Sequence, residues 1–239
     1  MSAFDVQLGK TQQPAGGANI TLVTANAVSV GGFIELMVVW FGLGTLPTLT
    51  ITGGGLTYVT DQALNTGGYG IARCSAQAPA GLAASTSIQV AFSATPGENY
   101  VAGWSMTGVA TSAAKDVGGS NTDGPFTTWD AGLVTSTVDG HISASAVTNG
   151  GVGTASAGAT YTEVPATAGD FSDGSAGASF ESIYRVGVTP NTYSPTGTFT
   201  ASGTFYAAGV AYKDSTGPAP SPVIRVDWQK FPKRILARL

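Results

Sequence analysis

The chain has one histidine, His141, one cysteine, Cys74, and fourteen Asp and Glu. Acid–base or nucleophilic chemistry would have to pass through these or through its scattered serines. His141 lies two residues from Asp139, and alternate strand positions point the same way. No glycine-x-serine-x-glycine elbow joins a strand to a helix, so a hydrolase nucleophile lacks its usual setting. His141 therefore reads as an exposed turn residue. Cys74 beside Arg73 allows a lowered thiol pKa, but a lone strand cysteine is more often a small core residue. Asp170 with Asp173, or Asp116 with Asp123, could offer oxygen ligands to calcium. Neither pair follows the twelve-position calcium loop, and Asp, Asn and Gly also form ordinary turns. A single Cys and a single His exclude an internal disulfide and a Cys/His metal cage. The glycines around Gly53 and Gly150 lack the lysine and strand–helix context of a phosphate loop. No catalytic residue, cofactor or metal ligand is assigned.

Binding chemistry is better supplied. Val223–Leu239 holds half of the ten Lys and Arg, namely Arg225, Lys230, Lys233, Arg234 and Arg238, opposed only by Asp227. This segment carries about +4 and the rest of the chain about −8. Trp228, Phe231, Ile235, Leu236 and Leu239 add apolar side chains to the cations. Ile224, Val226 and Trp228 alternate with Arg225 and Asp227, a pattern suited to strand addition at a neighbour's sheet edge. Pro232 breaks it, and Lys233–Leu239 could form one or two helical turns. The segment reads as a docking arm for another subunit, the alternative being that it folds back on its own domain. Its charge is modest and the remaining chain would repel phosphates, so neither nucleic acid nor membrane is expected as a partner.

The elements that would carry these residues are strands. Gly at 34 and Pro at 12, with abundant Ala, Ser and Thr, suit short strands and tight turns. Phe4–Leu8, Ile20–Val23, Tyr69–Cys74, Ser87–Phe92 and Tyr100–Met106 alternate or are rich in strand formers. Ile34–Phe41 is nearly all apolar, which predicts a central strand packed on both faces, with Glu35 at the sheet edge. Leu46–Ile51 and Leu56–Tyr58 flank Gly53-Gly54-Gly55, which reads as a hairpin or a bulged turn. Ala110–Trp129 loses all periodicity and reads as a long surface loop. Leu133–Val138 and His141–Val147 look like a hairpin about Asp139-Gly140. Thr160–Val164 and Ala178–Val188 follow, then Thr198–Ala201 against Thr204–Tyr212 about Ser202-Gly203. Trp40 and Trp104 fall in strong strand patterns and read as core. Trp129 and Tyr193 fall in loops, and with Tyr69 they remain open to a carbohydrate-binding face.

About a dozen strands without a crossover helix predict an all-β fold, two antiparallel sheets packed face to face as a jelly-roll-like β-sandwich. The expected organisation is a β-sandwich domain over 1–214, a Pro-rich linker over 215–222 and the docking arm over 223–239. The first residues lack a secretory signal, and Phe33–Leu43 is too short and too interrupted to span a bilayer as a helix, so a soluble chain is expected.

Ile34–Phe41, Ser182-Ile183-Tyr184-Arg185 and the run from Phe199-Thr200-Ala201-Ser202 into Ala207–Lys213 resemble β-sandwich structural proteins of tailed bacteriophages. The resemblance covers the rhythm of residues 18–213 and assigns no residue a role. It implies a virion structural protein, made in the host cytoplasm. The expected type is a capsid decoration or minor capsid component that contacts copies of itself or other virion proteins such as the major capsid protein. A tail or fibre component and a carbohydrate-binding module with a glycan partner are the alternatives, and a hydrolase is a third.

Overall fold

The computed structural model describes residues 1–149, 154–165, 169–171 and 178–215. In chain order the strands are β1 (Ala3–Gln13), β2 (Asn19–Val23), β3 (Gly32–Phe41), β4 (Leu49–Gly53), β5 (Tyr58–Thr66), β6 (Tyr69–Ala78), β7 (Ser87–Phe92), β8 (Glu98–Thr107) and β9 (Lys115–Asp130). They continue as β10 (Val134–Ser136), β11 (Gly140–Asn149), β12 (Ala155–Ala157), β13 (Thr162–Glu163), β14 (Gly169–Phe171), β15 (Ala178–Val188), β16 (Asn191–Tyr193) and β17 (Thr196–Lys213). The fold is all-β, built of several antiparallel sheets. A five-stranded sheet runs β1-β8-β3-β6-β5, and a three-stranded sheet runs β2-β7-β4. A seven-stranded sheet runs β12-β17-β11-β15-β13, with β9 also on β17 and β14 on β15, and β10 pairs β16 separately.

The five-stranded sheet is covered on both faces. Ile34, Leu36, Val38 and Trp40 share a core with Leu22, Ile88 and Val90 of the three-stranded sheet. The alternate residues Phe33, Met37, Val39 and Phe41 share another with Val147, Phe180, Tyr206 and Val210 of the seven-stranded sheet. Every residue of β3 is buried, so two-sided burial explains its near-continuous apolar sequence. In β7, Ile88, Val90 and Phe92 face the core, and in β8 Tyr100, Ala102, Trp104 and Met106 do, as their alternation predicts. Trp40 and Trp104 are fully buried, as expected of core residues.

Trp40 illustrates how closely the sheet is fitted. It stands opposite Gly70 in the β3–β6 register, and a Cβ there would come within 2.2 Å of the indole ring. Its Nε1 donates to Asn65 Oδ1 at 2.8 Å. Gly70→Ala should therefore destabilise the protein by about 1–3 kcal/mol, the usual overpacking cost, read as a lower Tm with a perturbed tryptophan emission.

Several local expectations are corrected. Most of Ala110–Trp129 is a strand: β9 pairs β17 along most of its length. Its periodicity is hidden because neither face is an apolar layer, and much of it is half-buried or exposed. Asp139-Gly140 makes no hairpin, since β10 pairs β16 while β11 lies between β15 and β17. Gly140 instead permits close approach, because a Cβ on it would meet the Tyr212 carbonyl at 1.9 Å. Ser202-Gly203 is no turn either, being an irregularity inside the single strand β17 opposite Phe126. The turn at Gly53–Gly55 exists, closed by Leu56 N–H donating to the Gly53 carbonyl. It passes the chain from the three-stranded sheet into the five-stranded one instead of closing a hairpin. The linker and docking arm, 216–239 here, lie outside the described residues.

Candidate functional site

Polar side chains meet at the centre of the core between the five- and seven-stranded sheets. Strand alternation puts Glu35 of β3 and Arg73 of β6 on the inner face of one sheet. It puts His141, Ser143 and Ser145 of β11 on the facing side of the other. All five are fully buried. The Glu35 carboxylate pairs with Arg73 Nη2 through Oε2 and with His141 Nε2 at 2.8 Å through Oε1. Arg73 also donates to Ser145 through Nη1 and to Ser143 through Nη2, each at 2.7 Å. Ser145 and Ser182 share a 2.8 Å hydrogen bond. The guanidinium lies 4.4 Å from the Trp104 ring centre, and His141 stacks on Tyr212 at 5.1 Å.

Burial alone would push the Glu35 carboxyl up, but the hydrogen bond and charge of His141, the charge of Arg73 and a bond from Ser143 outweigh it. They hold it below the usual carboxylate range. Tyr212 extends the array by donating to Asp61 Oδ2 at 2.8 Å. Burial raises the Asp61 carboxyl, against the opposing bonds of Ser75 and Tyr212. The Tyr212 phenol is raised well above its ordinary value, chiefly by burial.

These positions overturn two expectations. Glu35 is not at the sheet edge, since β3 lies between β6 and β8 and its carboxylate is bonded to Arg73 on the neighbouring β6 and to His141 on the facing sheet. His141 is not an exposed turn residue, because it belongs to β11 and is paired with Tyr212 and Val186 on its two sides. Serine, histidine and a buried carboxylate thus come together, as a hydrolase would need. Their connections are wrong for a relay: Nε2 is committed to Glu35, and the other ring nitrogen, Nδ1, bonds no serine. Glu35, His141, Ser143, Ser145 and Ser182 all have zero exposure. The array can hold charge and fix the register of two sheets.

A second buried polar pair lies on the other face of the seven-stranded sheet. Trp129, expected in a loop, is fully buried, and its Nε1 donates to Glu181 Oε2 at 2.8 Å. Gly197 makes the space, since a Cβ on it would sit 2.4 Å from Glu181 Oε2 and 2.6 Å from Trp129 Nε1. Burial pushes the Glu181 carboxyl up to about 8, with the nearby charge of Glu163 in the same direction and the Trp129 bond against it.

Cys74 is a buried core residue whose thiol burial raises to about 12. Asp116 accepts from Thr137 N–H and Oγ1, and Asp123 from the Gly124 N–H. Among the described residues no group of three or more His, Cys, Asp or Glu could hold a metal ion. Tyr69 stacks on Tyr206 at 5.3 Å, and Tyr193 lies under Arg185 at 5.2 Å. The docking residues Arg225, Trp228, Lys230, Phe231, Lys233, Arg234, Ile235, Leu236, Arg238 and Leu239 lie outside the described residues. No family model matches this chain, and no curated protein and no solved structure matches it.

Proposed function

We propose that this protein is a structural subunit of a virion, a capsid decoration or minor capsid component. In this reading the sheets form one β-sandwich of jelly-roll type over 1–214, the link 215–222 spaces the arm, and 223–239 joins the sandwich to another subunit or to the major capsid protein. The carrying observation is the division of charge. A seventeen-residue segment of about +4, with Trp228, Phe231, Ile235, Leu236 and Leu239 among its apolar side chains, follows a chain of about −8. Opposite charge raises the encounter rate, and burial of the apolar groups then holds the complex.

The buried array favours a scaffold role, since a closed ion network fixes sheet register without offering a reactive surface. The carbohydrate-binding alternative needs a row of exposed aromatics. Trp40, Trp104 and Trp129, three of the four tryptophans, are fully buried.

Removal of 223–239 should leave a folded body with unchanged circular dichroism and abolish association with itself or with empty particles. Sedimentation velocity of the full and shortened chains, followed by particle co-sedimentation, reads both. Unchanged association by the shortened chain would overturn the proposal.

A further inference from the structure

We infer that the cleft where β3 ends, between the five- and seven-stranded sheets, is a binding site for a small organic ammonium ion. The inference is independent of the assembly role proposed above. Strand register builds one wall. Phe41, the last residue of β3, stands opposite Tyr69 on β6 and opposite Glu98 on β8. Directly opposed residues project from the same face of a sheet, so Glu98, Phe41 and Tyr69 form a row toward the seven-stranded sheet. Asn149, the last residue of β11, and its partner Ala178 on β15 stand across the cleft. Alternation from Val147, which belongs to the shared core, turns the Asn149 side chain toward that row.

The cleft has a volume of about 220 Å³, below the range of about 300–1,000 Å³ that takes drug-sized ligands. It suits a head group of a few heavy atoms. Gly42 and Gly97 also line it and add no side chain to close it. Phe41 and Tyr69 meet at 5.1 Å with their planes 67° apart, so they form a corner and not a flat platform. Tyr206 stacks on Tyr69 at 5.3 Å, and Tyr100 packs against Phe41 at 5.7 Å, so both rings are backed by others. Glu98 Oε2 accepts the hydroxyl of the fully buried Tyr100 at 2.9 Å, which fixes the carboxylate beside the corner.

These parts select by charge and by size. Glu98 is the one charged side chain among the described residues that line the cleft, so an anion meets repulsion and a cation meets its counterion. Aromatic faces attract a cation within about 6 Å of the ring centre. A hard metal ion takes about six to eight oxygen ligands, whereas the lining side chains offer one carboxylate and one amide. A sugar stacks on a flat aromatic platform, which a corner does not give. An alkylated ammonium ion meets both demands. Its methyl groups pack into the angle between Phe41 and Tyr69, and its charge is balanced by Glu98.

Titration of the full-length chain with tetramethylammonium chloride, followed by proton NMR, tests this. The methyl resonance should move upfield as the rings shield it and saturate in the millimolar range, about 1–10 mM. Neutral tert-butanol, of similar shape, should bind about tenfold more weakly, and glucose more weakly still. Sodium chloride at the same concentration should leave the shift in place. Glu98→Gln keeps an acceptor for Tyr100 and should weaken binding about three- to fivefold, and Tyr69→Leu should do so about threefold. Melting curves check that both variants fold. Glu98→Gln, at a partly exposed position, decides the matter if Tyr69→Leu does not. No saturable shift by roughly 50 mM, tert-butanol or glucose binding as tightly, loss of the shift in sodium chloride, or unchanged affinity in Glu98→Gln would each overturn the site. Removal of 223–239 tests assembly separately, so either reading can fail without the other.

Discussion

Glu35→Gln should lower the free energy of unfolding by about 3–5 kcal/mol, the usual loss when one partner of a buried ion pair is removed. The volume change is slight, so the effect is electrostatic. Arg73 has zero exposure, and the substituted amide oxygen, the Ser143 and Ser145 hydroxyls and the face of Trp104 leave it without the adjacent carboxylate charge. Those groups hydrogen-bond or polarise toward the cation without neutralising it. Arg73→Met added to Glu35→Leu removes both charges and replaces them with apolar volume. The double variant should be more stable than Glu35→Gln, because the uncompensated cation is gone. Urea titrations of Glu35→Gln and of the double variant, followed by tryptophan emission, compare the two stabilities. A loss below about 1 kcal/mol for Glu35→Gln, or a double variant weaker than the single, would show that the pair is not what holds these sheets in register.

That array also marks where the sequence stops being legible. Strand positions were readable because their signals are local: Ser87–Phe92 alternates with period two, and Ile34–Phe41 is a short, nearly continuous apolar run bounded by glycines. Glu35 broke the pattern of an apolar strand, and from one strand alone the edge is the cheapest place for a charge. Its partners lie 38 and 106 residues away, a pairing that only sheet order decides. One signal was present: in His141-Ile142-Ser143-Ala144-Ser145-Ala146 polar residues occupy every other position. A polar stripe opposite a buried charge is what an interior network requires. Asp139-Gly140 and Ser202-Gly203 misled for a different reason. The dipeptides that favour tight turns also contain the glycine that lets two backbones approach, and only the tertiary fold separates the two uses.

Glu181 sets the opposite pH limb from Glu35. The Glu35 carboxyl is held below its ordinary 4.5 in the folded protein. Its contribution is present above that value and lost as pH falls through the folded pKa. The Glu181 carboxyl goes the other way, from 4.5 to about 8. Between those values the folded state keeps a proton that the unfolded chain has released, so stability falls as pH rises across the window. At about 1.4 kcal/mol per pH unit, the loss is on the order of 4 kcal/mol by the upper end. Glu181→Gln keeps an oxygen for Trp129 Nε1 and cannot ionise. Urea midpoints from pH 5 to 9 should therefore decline less steeply in the variant, the gap widening until about pH 8 and constant above it. Asp61, also raised by burial, leaves a residual slope of the same sign in both proteins. Parallel pH profiles would mean that the Glu181 carboxylate finds solvation in the folded state and that the buried Trp129 pair does not govern alkaline stability.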